Sequence, residues 1–153
     1  MKFLVDHAFS GLEFTWFAVD STGHIACFCS AGCGPVPEVA ITNSELLESA
    51  EDIIDGLPCV GSAHNPTPPR GNPYHADRLA ERGFYAFDWR AETEAYVIES
   101  KPTNPIRVAD IASPDVQKAV GLLGLSLELT EIIQLSRAEL LAALAPSSNA
   151  SED

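Results

Sequence analysis

Phe14-Thr15-Trp16-Phe17-Ala18-Val19 is followed by Asp20-Ser21-Thr22-Gly23 and then by His24-Ile25-Ala26-Cys27-Phe28-Cys29. Two runs rich in aromatic and β-branched residues, joined by a short Asp/Ser/Gly cluster, predict a β-hairpin. On the second run Ile25, Cys27 and Cys29 share one face, while Ala26 and Phe28 share the other. Both faces are apolar, so the hairpin belongs in the middle of a sheet or under cover on both sides. The next residues, Ser30-Ala31-Gly32-Cys33-Gly34-Pro35-Val36-Pro37, hold two glycines and two prolines. They forbid regular structure there.

Further along, Phe84–Trp89 and Ala95–Ser100 read as a second hairpin. Ile106–Ile111 reads as a further strand and Leu125–Leu129 as a short alternating one. Thr42-Asn43-Ser44-Glu45 has the pattern of a capping box and predicts a helix over Asn43–Asp55. Its stripe is Leu46, Leu47, Ala50, Ile53 and Ile54, and Gly56 and Pro58 close it. A short helix is expected over His75–Arg82. Ser113-Pro114-Asp115 starts another, running to about Leu123. The box Ser136-Arg137-Ala138-Glu139 starts the last, to about Leu144. Strands and helices do not alternate regularly. The expected class is therefore α+β, with a mixed or mainly antiparallel sheet of about five strands and three or four packed helices. Residues 1–145 are expected to form a single domain, with 146–153 a polar, disordered tail.

The chain has 153 residues, enough for one hydrophobic core, and 46% of them are apolar. Its charge is the unusual feature: 22 acids against 9 Lys and Arg give a net −13. A nucleic-acid ligand demands clustered cations, so it is not expected, and neither is an anionic membrane surface. Residues 1–69 carry nine acids and one base, Lys2. The N-terminal apolar run is too short for a secretory leader, and no stretch approaches a membrane span. A cytoplasmic protein is expected.

Three groups of residues invite a chemical reading. Cys27, Cys29 and Cys33, with His24 near them, are the metal candidate. Their C-x-C-x3-C spacing is not a paired zinc knuckle, and buried free thiols are the favoured reading. Cys59, His64 and His75, with Asp77 as orienter, are the residues a thiol enzyme would use. However, Cys59 lies between Pro58 and Val60, a setting that blunts a thiol, and the chain has no nucleophile elbow, phosphate loop or zinc-protease helix. No catalytic residue and no cofactor are assigned. The third group is the acidic helix face of Glu45, Glu48, Glu51, Asp52 and Asp55, an electrostatic surface suited to a basic protein partner. The Pro-rich segment Gly61–Pro73 adds His64 and Arg70 as contact groups, with Tyr74 just beyond it.

The stretch from Phe14 to Phe28, continued by Ser30–Pro37, resembles the aromatic-hairpin, glycine and Val-Pro signature of small bacterial proteins related to the SUKH immunity superfamily. Trp16, Asp20, Gly23, Gly32, Gly34 and Pro37 carry the resemblance. It implies an α+β fold and a protein that neutralises a toxin by binding it. Many such toxins are nucleases with cationic clefts, which an acidic domain would complement. The expected function is thus non-enzymatic protein binding, as an immunity-type inhibitor of a basic toxin. The alternatives are a small zinc module and an uncharacterised Cys/His enzyme.

Overall fold

The computed structural model describes residues 4–6 and 11–146, and within them the class is α+β. Of the tail expected at 146–153, Pro146 instead ends a strand and pairs with Leu123, and 147–153 lie outside the described residues. Strand β1 (Leu4–Val5) pairs with β4 (Val36–Pro37) in a two-stranded sheet. Between them come β2 (Thr15–Val19) and β3 (Ile25–Cys29), the first hairpin, in register Thr15 with Cys29 and Val19 with Ile25. Helices α1 (Glu38–Thr42) and α2 (Ser44–Asp55) follow, then β5 (Ala63–His64) and α3 (Tyr74–Glu81). The second hairpin is β6 (Tyr85–Arg90) with β7 (Ala95–Pro102). The chain continues through α4 (Pro114–Val120), β8 (Leu123–Leu125), β9 (Gln134–Ser136), α5 (Arg137–Ala143) and β10 (Leu144–Pro146).

The main sheet has eight strands in the order β10-β8-β2-β3-β6-β7-β5, with β9 also on β7. It is antiparallel except where β8 joins β2 and where β6 joins β3. The apolar first hairpin therefore lies in the middle of the sheet, as its two apolar faces require. The strands beyond the two hairpins are only two or three residues long, too short to show a period, so the sheet exceeds the expected five. Among the described residues no helix is long and apolar enough to cross a membrane.

Three local expectations need correction. Thr42 does not cap α2. Pro37 already starts α1, so Thr42 is helical and its hydroxyl donates to the Glu38 carbonyl, 2.7 Å away. Ile106–Ile111 is not a strand: Arg107 makes one bridge to His24, and Val108–Asp110 is a 3-10 turn closed by the Arg107 amide donating to the Asp110 carboxylate. The strand expected at Leu125–Leu129 moves back to Leu123–Leu125, and Leu129–Glu131 is a second 3-10 turn. The last two helix starts agree with their signatures. Ser113 accepts from the Val116 amide, and Ser136 and Glu139 cap each other's backbone.

One face of the central strands carries an aromatic stack. Trp16 lies over Phe28 at 4.3 Å between ring centroids, Phe28 over Phe87 at 5.0 Å, and Tyr96 meets Trp16, Phe28 and Trp89 edge-on. The Tyr96 hydroxyl accepts from Trp16 Nε1 and donates to the Pro35 carbonyl, fixing the Gly-Pro segment to this stack. Gly34 is required there, since a Cβ would fall 2.7 Å from Trp89 Cγ. Gly23 and Gly32 take φ of 93° and 84°, where side chains are strained. The residues that carry the resemblance thus have structural tasks in this chain. The opposite face of the central strands, bearing Thr15, Phe17 and Cys27, looks towards α2 and α3.

Candidate functional site

Helices α2 and α3 stand over β2, β3 and β6 and leave a cleft made of three cavities of about 280, 170 and 450 Å³. His75, in the first turn of α3, lines all three. Glu51 lines the first and third, and Cys27 the first and second. The helix periods explain this convergence. On α2, Leu47, Ala50 and Ile54 point into the core, and Glu51 follows one position round, on the edge of the buried stripe. On α3, Leu79 and Ala80 are buried, and His75 and Arg78 flank them.

The acidic face is therefore divided. Glu45, Glu48, Asp52 and Asp55 are exposed, as expected, whereas Glu51 is half-buried in the cleft. Ile53 also departs from the expected stripe, with 38% of its surface exposed. Among the described residues only Asp55 of these five acids is ion-paired: Arg78 Nη2 donates to its carboxylate at 3.0 Å, joining α2 to α3. The Tyr74 ring lies beneath the same guanidinium, 5.5 Å from its carbon, and the Tyr74 hydroxyl accepts from it. Arg70 is paired with Glu92 on the surface. His64 is exposed on β5, at the edge of the sheet and away from α2 in sequence and pairing. Leu12 and Tyr74, 67% and 62% exposed, are the most open large apolar side chains among the described residues. Leu12 lines the third cavity. Sequence reading did not single out Glu13, Asp88 and Glu99, which line the second cavity. Each stands in or beside a strand, and only the pairing of Cys29 with Asp88 shows that they meet.

These carboxyls are poorly compensated. Burial, and then the neighbouring Glu13, raises the Asp88 carboxyl above its ordinary range. Burial, and then Asp88, does the same to Glu99. Glu51 is raised chiefly by burial, although Thr15 and His75 act in the other direction. A raised acid favours the fold below its unfolded pKa, and that advantage is lost as pH rises through the folded value. Asp88→Asn combined with Glu99→Gln is accordingly expected to raise the thermal midpoint by a few degrees at pH 7. The gain should vanish below about pH 4, where the wild-type carboxyls are themselves neutral. A scan of midpoint against pH checks this, and a lower midpoint at pH 7 would refute it.

The two chemical alternatives gain no geometry. Among the described residues no three His, Cys, Asp or Glu side chains gather in a group able to hold a metal ion. Cys27 and Cys29 follow the strand into the cleft, whereas His24 sits at the other end of β3, beside Asp20. Burial raises both the Cys27 and Cys29 thiols well above the usual range, with the Glu51 carboxylate adding to the first and Glu13 to the second. They are neutral thiols and poor nucleophiles. Cys59 is exposed, but its polar neighbour is the Glu81 carboxylate at 3.9 Å, not a histidine. Asp77 does not orient His75 or His64. Its Oδ1 accepts from Ser100 Oγ at 2.6 Å and from Asn65 Nδ2 at 3.1 Å, anchoring the Pro-rich segment to β7. What remains is a cleft with an apolar sheet for a floor and an excess of carboxylates on its walls. Compared with family models, with curated proteins and with solved structures, the chain matches none.

Proposed function

We propose that this chain is a cytoplasmic, non-enzymatic protein-binding domain that docks a basic partner on the α2 face. The resemblance of residues 14–37 to the immunity superfamily makes an inhibitor of a basic toxin the preferred form of that reading. The observation that carries it is the line of exposed acids Glu45, Glu48 and Asp52 on one helix, none of them ion-paired among the described residues. Cations of a partner would neutralise them, and complementary potential of this kind accelerates encounter and excludes acidic competitors. Tyr74 and Leu12 add apolar contact near the same helices, Arg70 lines the second cavity of the cleft, and His64 stands on the edge strand β5.

The test is kinetic. The genes adjacent to this one are searched for a basic toxin domain, any such domain is immobilised, and association is followed over a range of salt. The triple variant Glu45→Lys, Glu48→Lys, Asp52→Lys is expected to slow association by about 10–100-fold at low salt. It should also flatten the salt dependence. Unchanged kinetics would remove this face from consideration, and no binding by the wild-type chain would remove the inhibitor reading.

A further inference from the structure

The third cavity differs from the other two in charge. The first is lined by Arg78 and Arg82 and the second by Arg70, so each holds cations beside its acids. The third, at about 450 Å³ the largest of the three, is lined by Glu13, Glu48 and Glu51 and by no Lys or Arg among the described residues. On α2 its lining residues are Ser44, Leu47, Glu48 and Glu51, at i, i+3, i+4 and i+7, which is one helix face. The rest is His75 and the segment 12–15 that leads into β2. That segment is pinned. The Gly11 amide donates to the Gly32 carbonyl at 3.0 Å, the Phe14 amide to Ser30 Oγ at 3.0 Å, and the Ser30 amide to the Phe14 carbonyl at 2.9 Å. Leu12 is exposed on a backbone already held in place, so a partner that covers it orders little new chain.

The acids of this cavity have internal partners, but no Lys or Arg pairs with them among the described residues. The Thr15 hydroxyl and His75 act on Glu51, and the Cys29 thiol on Glu13. Burial still raises the Glu51 carboxyl, and a cation beside it would lower it again. Carboxylates beside the apolar Leu12, Phe14 and Leu47 complement a side chain with a hydrocarbon stem and a cationic end. Of the two such residues, arginine is the more weakly hydrated, and its planar fork reaches two carboxylates at once. Glu48 and Glu51, three positions apart on one face, offer that pair. We propose that the basic partner anchors an arginine in the third cavity, with its guanidinium between Glu48 and Glu51 and its stem against Leu12. This rests on the docking reading and gives that reading its anchor residue.

The test needs no toxin. The full chain is titrated with the blocked peptide acetyl-Leu-Arg-Leu-amide and followed by amide chemical shifts. Peptides with citrulline or lysine in place of arginine, and free L-arginine, are the comparison ligands. The arginine peptide is expected to saturate, with shifts concentrated on residues 12–15 and 48–51. The neutral citrulline peptide should bind about tenfold more weakly, and the lysine peptide about threefold more weakly. Glu51→Gln should remove most of the difference between arginine and citrulline. Leu12→Ala should instead weaken both peptides alike, by about threefold or more. No saturation by the arginine peptide up to about 10 mM would overturn the proposal. So would equal binding of the arginine and citrulline peptides, a result on the wild-type chain that needs no variant to fold. Free L-arginine binding as tightly as the peptide would also overturn it, by assigning the cavity to a small molecule. The two readings fail separately. Failure of the peptides leaves a docking face at Glu45 and Asp52, which lie outside this cavity, and failure to bind a toxin leaves the peptide result intact.

Discussion

Asp20→Ala is expected to destabilise the fold by about 3–4 kcal/mol, lowering the thermal midpoint by roughly 10 °C. The Asp20 side chain is fully buried and accepts four hydrogen bonds. Its Oδ1 takes the amides of Thr22 and His24 and the Thr22 hydroxyl, closing the first hairpin turn. Its Oδ2 takes the Leu129 amide at 2.9 Å, far along the chain, where Ser21 also donates to the Leu127 carbonyl. Water can serve the turn amides once the carboxylate is gone. It cannot serve the buried Leu129 amide, so that donor carries most of the loss. Chemical denaturation checks the magnitude, and hydrogen exchange checks the cause: the Leu129 amide should lose protection more than the strand amides of β6. Asp20→Asn should fall between, because one amide group cannot present oxygen to both sets of donors. A loss below about 1 kcal/mol for alanine would show that the turn holds without this carboxylate.

Trp16→Ala should cost a similar amount, about 3–5 kcal/mol, for a different reason. Trp16 is fully buried and stacks on Phe28, so truncation leaves a large cavity beneath the centre of the sheet. The polar part of its contribution is separable. Tyr96→Phe keeps the ring but removes the hydroxyl that links Trp16 Nε1 to the Pro35 carbonyl, and is expected to cost about 1–2 kcal/mol. Trp16→Phe retains much of the stack and loses the same hydrogen bond. The double variant should therefore be less destabilised than the sum of the two single ones, as contacting residues require. Strict additivity in urea unfolding would mean that the hydrogen bond contributes nothing. Neither variant touches α2, so association of a basic partner is expected to persist at temperatures where the variants are folded.

Asp20 and Trp16 also explain what the aromatic-glycine pattern means in this chain. Trp16, Asp20, Gly23, Gly32 and Gly34 each answer a requirement of backbone or core geometry. A partner surface has to be sought in other residues. Here the candidates are the acids of α2 and the open side chains Leu12 and Tyr74, which lie around the cleft rather than in the signature.

By itself the sequence determined the α+β class, both hairpins and the starts of the last two helices. These features rest on residues close together in the chain: β-rich runs about a turn apart, and a serine three positions before the amide it caps. Tertiary structure decided the rest. The strands β5, β8, β9 and β10 have two or three residues each, and exist because a neighbouring edge supplies their hydrogen bonds. Ile106–Ile111 has the alternation of a strand but only one bridge to pair with, so it turns instead. The cleft belongs to the same category. The acidic face of α2 was legible from its period, but the turn of Glu51 inward, the approach of His75 and Arg82 from α3, and the meeting of Asp88 with Cys29 all depend on how helices pack on the sheet. Local pattern fixes which face a side chain occupies, and only packing fixes what that face meets.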